Sequence, residues 1–171
     1  MSIDLSVLNN SEKIIFELRS LYSKYGYKPF KMSKFEEYDL YGSNKDFLVS
    51  ENCITFTDTD GRLLALKPDV TFSIIKKLDD SIDGVQKVYY NENVYRVSDN
   101  THQFKEIMQM GLECIGDVDT TDVFEVVSLA AKSLATVCSD YVLDISHMGI
   151  ISAVIAECER DADFTRKITA L

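Results

Sequence analysis

Apolar residues recur at helical spacing in four stretches of the chain, and this pattern predicts four helices. The first helix is expected over residues 11–25, with its cap at Asn10 or Ser11 and its end at Gly26. Its apolar stripe consists of Ile14, Ile15, Leu18, Leu21, Tyr22 and Tyr25.

Three further helices follow the same rule. One is expected over residues 69–79, because Pro and Asp precede it at positions that a helix start accommodates. The most regular pattern predicts a helix over residues 121–138, capped by Thr120 or Thr121, and the last helix is expected over residues 150–158. The stripe of the 121–138 helix consists of Val123, Val126, Val127, Ala130, Leu134 and Val137.

Runs of β-favouring residues lie between these helices. Residues 54–57 and 63–66 flank a turn whose Asp60-Gly61 step tolerates positive φ, so they predict a hairpin. Residues 86–96 and 104–115 form two longer strands that are joined by a polar segment. We expect these two strands to pair antiparallel.

Weaker patterns predict a strand followed by an extended stretch within residues 30–38, and another strand over residues 141–145. Strands that are grouped as hairpins, with helices between the groups, indicate an α+β fold on an antiparallel sheet that is flanked by helices. The sequence has no Pro/Gly-rich linker, and we expect a single domain over residues 1–171.

Composition narrows the functional classes. The chain has 171 residues, 46% of them hydrophobic, which is enough for one sizeable core. Its net charge is −10, with 28 acidic and 18 basic residues, and this disfavours a nucleic-acid surface such as one for tRNA. The sequence contains no run of 18 apolar residues, so we expect no membrane span and a cytoplasmic location. Four cysteines without a CxxC pair are expected to be reduced thiols in the core, and two histidines offer no metal-ligand spacing.

The candidate chemistry begins on the strand over residues 104–115. Gln109 and Glu113 alternate onto one face, with Gly111 between them. A carboxylate and an amide at this spacing suit the recognition of an ammonium group, and the glycine leaves room for a ligand near the backbone. The same alternation is also typical of an ordinary sheet with its polar side in water.

Three more residues join this candidate set. Arg96, at the end of the partner strand, offers a positive charge for a carboxylate. Asp69 and Thr71, near a helix start, add a carboxylate and a hydroxyl. Each residue alone is weak evidence of a site, because charged residues are common on protein surfaces. Their order along the chain strengthens the prediction.

That order resembles histidyl-tRNA synthetase and its paralogue, the regulatory subunit of ATP phosphoribosyltransferase. Leu66-Lys67-Pro68-Asp69-Val70-Thr71 is similar to the family segment Leu-Arg-Pro-Glu-x-Thr, and residues 88–96 with residues 108–116 are similar to class II motif 2. With the flanking helices, the resemblance covers roughly residues 8 to 155. It implies a class II aminoacyl-tRNA synthetase-like core, whose sheet is expected to be incomplete at the C-terminal end of this chain.

The resemblance also implies roles for the candidate residues in a histidine-sized pocket. Asp69 and Thr71 would contact the amino group, Arg96 would bind carboxylate or phosphate, and Gln109 and Glu113 would complete the amino-acid site. No cofactor and no metal are implied.

Two departures from the synthetase pattern favour the regulatory paralogue. Motif 2 of the synthetase reads Phe-Arg-x-Glu, and Ser98 stands here in place of the Glu. The following loop, residues 99–103, contains no Arg or Lys to neutralise a triphosphate. Further along, Ser146-His147-Met148-Gly149 resembles the Gly-His-x-Gly pattern of the regulatory subunits. His147 itself is expected to be a capping or loop residue.

Three functional hypotheses result. The first is a non-catalytic regulatory subunit that joins the ATP phosphoribosyltransferase catalytic subunit, activates it and takes part in feedback regulation by histidine, as a homodimer within a hetero-oligomer. The second is a catalytic fragment of histidyl-tRNA synthetase that forms histidyl-adenylate. The third is a stand-alone domain that binds a small ligand.

Overall fold

Helices and strands succeed one another along the residues that the structure describes. A computed structural model describes residues 5–42, 53–78, 84–98 and 100–157. The helices are α1 (Asn10–Lys24), α2 (Asp39–Gly42), α3 (Val70–Lys77), α4 (Thr120–Val137) and α5 (Met148–Glu157), preceded by a 3-10 turn at Leu5–Val7. The strands are β1 (Lys28–Pro29), β2 (Phe35–Glu37), β3 (Thr55–Thr57), β4 (Leu63–Leu66), β5 (Val85–Val97) and β6 (Phe104–Gly116).

Two units make up the chain, Met1–Ser139 and Asp140–Leu171. The first unit holds α1 to α4 and all six of the strands given above. The described part of the second unit is an irregular segment followed by α5. Among the described residues, no helix is long and apolar enough to cross a membrane.

The first of two three-stranded sheets has the strand order β1-β5-β6. Strands β5 and β6 pair antiparallel without interruption, from Val85 opposite Gly116 to Val97 opposite Phe104, which confirms the predicted antiparallel pair. Strand β1 lies parallel to β5, so the sheet is mixed and not purely antiparallel as the sequence pattern indicated. The fold class, α+β, is confirmed.

The second sheet has the order β2-β4-β3, and both of its strand pairs are antiparallel. Its β3–β4 hairpin is the one predicted from the Asp60-Gly61 turn, and Gly61 adopts a φ of 83° that favours glycine. The prediction for residues 30–38 was wrong in its order. The extended stretch comes first and the strand, β2, comes last, because Phe35–Glu37 finds its hydrogen-bonding partner in β4.

One hydrophobic cluster lies where α1 and α4 cover the sheet. The rings of Tyr22 and Tyr89 pack with centroids 5.9 Å apart, and the Tyr22 hydroxyl lies 2.9 Å from the Ser133 hydroxyl on α4. These contacts join α1 to both the sheet and α4. The buried members are Leu18, Tyr22, Tyr27, Tyr89 and Leu129.

A second cluster covers the opposite face of β5, where α3 packs. Val70 and Ile74 of α3 are buried against Val88 and Val94 of β5. Each such side chain contributes about 1.5–3 kcal/mol when it is fully buried. Because Val88 and Val94 share the face of β5 that also carries Arg96, this cluster holds α3 beside the candidate residues.

Side chains cap three of the helices, and two caps differ from those predicted. Asn9, not Asn10 or Ser11, caps α1 and forms a capping box with Glu12. Asp119, not Thr120 or Thr121, caps α4. In both cases the helix begins one residue earlier than predicted, so the cap moves with it.

One further prediction was wrong, and another was wrong in part. Residues 141–145 form no strand, and Val142 is 81% exposed; a strand requires a hydrogen-bonding neighbour, and none of the described strands pairs with this segment. On α4 the predicted stripe is exposed at Val123 and Val137, and the fully buried residue is Leu129. The helix packs on Leu129 because that residue meets the Tyr22 and Tyr89 cluster.

The described cysteines, Cys53, Cys114 and Cys138, are thiols rather than disulfides. Their predicted place in the core was wrong for Cys138, which is exposed directly after the end of α4. Cys158 lies outside the described residues. The helix predicted over residues 150–158 is present and begins at Met148.

Candidate functional site

The register of β5 and β6 determines which candidate residues share a face. Glu113 lies opposite Val88, and Gln109 lies opposite Glu92. Arg96 is four residues further along β5 than Glu92 and therefore has the same orientation. In an antiparallel pair without a bulge, opposite residues point to the same side. Arg96, Gln109 and Glu113 therefore all lie on the side of the sheet that α3 covers.

The backbone positions of these three residues are spaced in a row, while the side chains of Arg96 and Glu113 both reach the short segment from Pro68 to Thr71. Four residues separate Glu113 from Gln109, which corresponds to roughly 14 Å along a strand. Arg96, opposite Lys105, lies a further four residues along. The arrangement is therefore an elongated groove. We call Asp69, Thr71, Arg96, Gln109 and Glu113 the cradle.

The segment that leads into α3 runs along this groove and is held at three points. The Lys67 carbonyl accepts a hydrogen bond from the Tyr95 amide at 2.9 Å. The Pro68 carbonyl accepts one from Arg96 Nε at 3.1 Å. At the far end the Thr71 hydroxyl donates to Glu113 at 2.6 Å. The structure therefore brings the residues predicted near this helix start against the two predicted strands.

Glu113 is a partly buried carboxylate. Burial raises its pKa, the hydrogen bond from Thr71 opposes that shift, and the nearby Asp69 carboxylate raises the pKa further. The net direction is upward. Burial, followed by the charges of Glu113 and Asp69, also raises the pKa of Tyr90 to about 12. Because the charges of Asp69 and Glu113 repel each other, a cation that binds near both is favoured.

Asp69 has a structural role in addition to the predicted one. It is the N-cap of α3, and its Oδ1 accepts a hydrogen bond from the Phe72 amide at 3.0 Å. A contact between Asp69 and an amino group stays a prediction.

Gly111 does not leave open space above the strand, contrary to the expectation from sequence. A Cβ at this position would lie 2.5 Å from Tyr90 Oη and 2.7 Å from Tyr90 Cζ. The phenol of Tyr90, opposite Gly111 in the register, occupies that space. Position 111 therefore requires glycine, because the ring of Tyr90 occupies the space that a side chain would need.

Sequence reasoning missed an ion pair within the groove. Lys67 Nζ lies 3.0 Å from Glu92 Oε2, and the side chain of Lys67 is completely buried. The alternation of side chains along β5 places Glu92 on the same face as Arg96, so Glu92 could have been included among the candidate residues from the sequence. No local pattern marks Lys67 as buried, because its burial results from the packing of the segment before α3.

Arg96 has no ion pair among the described residues, and its described hydrogen bond uses Nε alone. The terminal nitrogens of a guanidinium suit bidentate binding of a carboxylate. The described residues contain no cluster of His, Cys, Asp and Glu that could hold a metal. Two surface clefts, of about 390 and 240 Å³, lie beside β5 and contain no cradle residue.

Comparison with known proteins identifies the family of this chain. The family model described as "Histidyl-tRNA synthetase" matches residues 5–171. The chain belongs to the histidyl-tRNA synthetase family. The class II synthetase-like fold expected from motif 2 is thereby confirmed.

Members of the histidyl-tRNA synthetase family with two different names are similar to this chain. The histidine–tRNA ligase of Methanocaldococcus jannaschii is 29% identical over 143 residues, which are 81% of this chain and 34% of that protein. The ATP phosphoribosyltransferase regulatory subunit of Caldanaerobacter subterraneus subsp. tengcongensis is 31% identical over 144 residues, 81% of this chain and 37% of that protein. The chain thus spans little more than a third of these relatives.

A solved structure of the ATP phosphoribosyl transferase (HisG:HisZ) complex from Thermotoga maritima has the same fold. It superposes with a TM-score of 0.57 at 23% identity and covers 78% of this chain and 42% of that one.

Two backbone hydrogen bonds close the turn between β5 and β6. The Ser98 amide donates to the Gln103 carbonyl at 2.9 Å, and the His102 amide donates to the Ser98 carbonyl at 2.7 Å. His102 adopts a φ of 52°, which a tight reversal requires. Ser98, which the resemblance described above aligns with a glutamate, is therefore bonded within this turn through both its amide and its carbonyl.

In the second unit, Gly149 has a steric explanation. A Cβ there would lie 2.5 Å from His147 Cε1, so a larger residue at this position would displace the imidazole. The predicted capping or loop role of His147 agrees with its position directly before α5, where its carbonyl accepts a hydrogen bond from the Ile150 amide at 3.0 Å.

Proposed function

We propose that this chain acts as a non-catalytic regulatory subunit of ATP phosphoribosyltransferase. In this role it joins the catalytic subunit, activates it and takes part in feedback regulation by histidine. The observation that supports this best is an asymmetry of the synthetase-like site. The candidate amino-acid residues Arg96, Gln109 and Glu113 share one face of the sheet. The nucleotide half is weakened, because Ser98 replaces a glutamate and residues 99–103 contain no Lys or Arg.

The cradle has the chemistry that this role needs. A free amino acid carries one ammonium and one carboxylate. The pair Asp69 and Glu113 attracts the first, and the guanidinium of Arg96 attracts the second. Gln109, between them, offers both a hydrogen-bond donor and an acceptor to a polar side chain. We propose L-histidine as the ligand.

The relatives support the partner. One is named ATP phosphoribosyltransferase regulatory subunit, and the Thermotoga maritima structure is of an ATP phosphoribosyl transferase complex. We propose that the corresponding partner here is a catalytic subunit of that enzyme, bound by a homodimer of this chain. Regulation by histidine then requires that histidine binds two states of the complex with different affinity.

The experiment is to mix the chain with the catalytic subunit of the same organism. We expect the two to co-elute on size exclusion, and we expect the formation of phosphoribosyl-ATP to be faster with the chain than without it. Added L-histidine should reduce this rate. The matched control is the catalytic subunit with the Glu113→Gln variant, which should still co-elute but should respond less to histidine. Separate elution with an unchanged rate contradicts the proposal.

The second candidate is formation of histidyl-adenylate, which the similarity to the Methanocaldococcus jannaschii ligase favours. A pyrophosphate-exchange assay distinguishes the two. Histidine-dependent exchange between pyrophosphate and ATP supports the ligase candidate, and its absence together with activation of the transferase supports the regulatory one.

A further inference from the structure

The N-terminal half of α3 is bonded to a carboxylate from each of the two sheets. The Thr71 hydroxyl donates to Glu113 of β6, in the first sheet, at 2.6 Å. The Ser73 hydroxyl donates to Glu36 of β2, in the second sheet, at 2.9 Å. Residues two apart in a helix point in nearly opposite directions, so one helix can make both contacts. Helix α3 therefore joins the second sheet to the candidate site on the first.

Glu36 accepts hydrogen bonds from two buried hydroxyl groups. Tyr41 and Ser73 are each 1% exposed, and both donate to Oε2 of Glu36. Burial, followed by the hydrogen bond to Glu36, raises the pKa of Tyr41, so its hydroxyl stays protonated and donates. A buried hydroxyl that loses its acceptor destabilises the fold. The carboxylate of Glu36 thus determines where both of these side chains lie.

The Ser73 hydroxyl has a second acceptor within its own helix. Its Oγ lies 3.1 Å from the carbonyl of Asp69, four residues earlier. That contact satisfies the serine but connects α3 to no other element. The ring of Tyr41 packs on the ring of Phe72, with centroids 5.8 Å apart, but a ring contact sets an orientation less strictly than a hydrogen bond does. The bond from Ser73 to Glu36 is therefore the directional link to the second sheet.

The orientation of α3 determines whether Thr71 reaches Glu113. Val70 and Ile74 pack α3 against β5, and such apolar contacts are not directional. Hydrogen bonds weaken steeply when they are misaligned. A rotation of α3 that broke the bond between Ser73 and Glu36 would therefore also move the Thr71 hydroxyl relative to Glu113.

We propose that Glu36 is a positioning residue of the cradle, which holds Ser73, fixes the rotation of α3 and so keeps the Thr71 hydroxyl on Glu113. The candidate site then depends on both sheets, although the strands that carry Arg96, Gln109 and Glu113 belong to the first. This inference rests on the proposed function only in treating the cradle as the binding site.

The test is a carbon-detected NMR titration of the Glu113 carboxyl in the full chain. Glu36→Leu removes the acceptor of Ser73, and we expect the pKa of Glu113 to rise, because the hydrogen bond from Thr71 lowers it in the wild type. The loss of a negative charge at position 36 acts in the opposite direction, since it favours ionisation of other carboxyls. A rise therefore reports a movement of Thr71, which a loss of stability alone would not produce.

Two matched variants serve as controls. Glu36→Gln removes the charge but keeps an acceptor oxygen for Ser73, so the pKa of Glu113 should stay at or slightly below its wild-type value. Glu37→Leu makes the same substitution as Glu36→Leu at the next residue of β2, whose side chain is exposed and points to the opposite face. This control should leave the pKa of Glu113 unchanged.

A double variant tests whether Glu36 acts through Thr71. Glu36→Leu combined with Thr71→Val should give the same pKa of Glu113 as Thr71→Val alone, because both changes remove the same hydrogen bond. If Glu36→Leu does not fold, as judged by circular dichroism, Ser73→Ala breaks the same contact with a smaller change and should give the same rise.

An unchanged or lower pKa of Glu113 in the folded Glu36→Leu or Ser73→Ala variant overturns the proposal. So does a double variant in which this pKa lies above that of Thr71→Val. The titration needs neither histidine nor the catalytic subunit. A wild-type chain that fails to bind the catalytic subunit therefore contradicts the regulatory role and leaves the positioning role of Glu36 intact.

Discussion

The hydroxyl of Thr71 donates a 2.6 Å hydrogen bond to the carboxylate of Glu113, although 42 positions separate the two residues. This contact joins the first turn of α3 to the C-terminal part of β6. It also stabilises the ionised form of Glu113, which burial disfavours. The position of the helix and the protonation of Glu113 are therefore coupled.

Thr71→Val should remove this hydrogen bond and so change both the pKa of Glu113 and the stability of the fold. Valine has the shape of threonine without the donor, so the pKa of Glu113 should rise further, because the hydrogen bond that opposes the effect of burial is lost. We expect the free energy of unfolding to fall by about 1 kcal/mol. Carbon-detected NMR titration of the Glu113 carboxyl and urea unfolding measure the two effects. Thr71→Ser, which keeps the donor, should match the wild type in the titration, and equal pKa values in all three proteins would contradict the coupling.

Glu113 should also make stability depend on pH. Its folded-state pKa is raised, so the unfolded chain ionises first as pH rises above the ordinary glutamate value of about 4.3. The penalty is absent below that value, grows as pH rises toward the folded-state pKa, and is complete above it. Glu113→Gln removes the penalty, and its free energy of unfolding relative to the wild type should increase across this window.

Glu106→Gln is the control with the opposite sign. Hydrogen bonds from Asn93 and Tyr95 lower the pKa of Glu106, so its contribution is present above the ordinary value and is lost as pH falls through the folded-state pKa. The variants are compared by urea unfolding between about pH 3 and about pH 7, a range that brackets the ordinary glutamate pKa of about 4.3. Parallel profiles for the wild type and Glu113→Gln would disprove the assigned direction.

Much of the site follows from alternation along the strands, and the remainder depends on tertiary packing. Gln109 and Glu113 share a face because they are four residues apart on one strand. The face of Arg96 depends on the register across the turn, which the backbone hydrogen bonds of Ser98 close. The ion pair of Lys67 could not be predicted, because its burial depends on where a loop crosses the sheet.

The errors have similar physical causes. Residues 141–145 have β-favouring side chains, but local propensity does not supply a neighbouring strand. Cap residues are misplaced by one position because a helix start is determined by which side chain reaches the free amides. The space above Gly111 was misjudged because the ring that fills it comes from the opposite strand.

The ion pair between Lys67 and Glu92 should stabilise the fold only while both charged side chains are present. Lys67→Met leaves the carboxylate of Glu92 without its counter-charge, and we expect a loss of about 3 kcal/mol in the free energy of unfolding. Lys67→Met combined with Glu92→Leu should recover most of this loss, because no charge remains to be desolvated. Urea unfolding of Lys67→Met, of Glu92→Leu and of the double variant gives the coupling energy between the two side chains. Additive effects of the single changes would contradict a direct interaction.

The start of α4 provides a test of the corrected cap. Asp119 Oδ1 accepts hydrogen bonds from the amides of Thr121 and Asp122, at 2.7 and 3.0 Å. Asp119→Ala should lower the free energy of unfolding by about 1 kcal/mol. Thr120→Ala, the control at the cap position predicted from sequence, should change it by less than about 0.5 kcal/mol. An equal loss in both variants would argue against Asp119 as the cap.

The central claim is that Arg96, Gln109 and Glu113 form one amino-acid site on one face of the β5–β6 pair. Calorimetric titration with L-histidine tests it most directly, using the wild type and the variants Arg96→Met, Gln109→Leu and Glu113→Gln, with Glu106→Gln as the control on the other face. We predict that the wild type and the control bind alike and that each cradle variant binds about tenfold more weakly. Binding of histidine that is unchanged in all three cradle variants, or no binding to the folded wild type, would contradict the account.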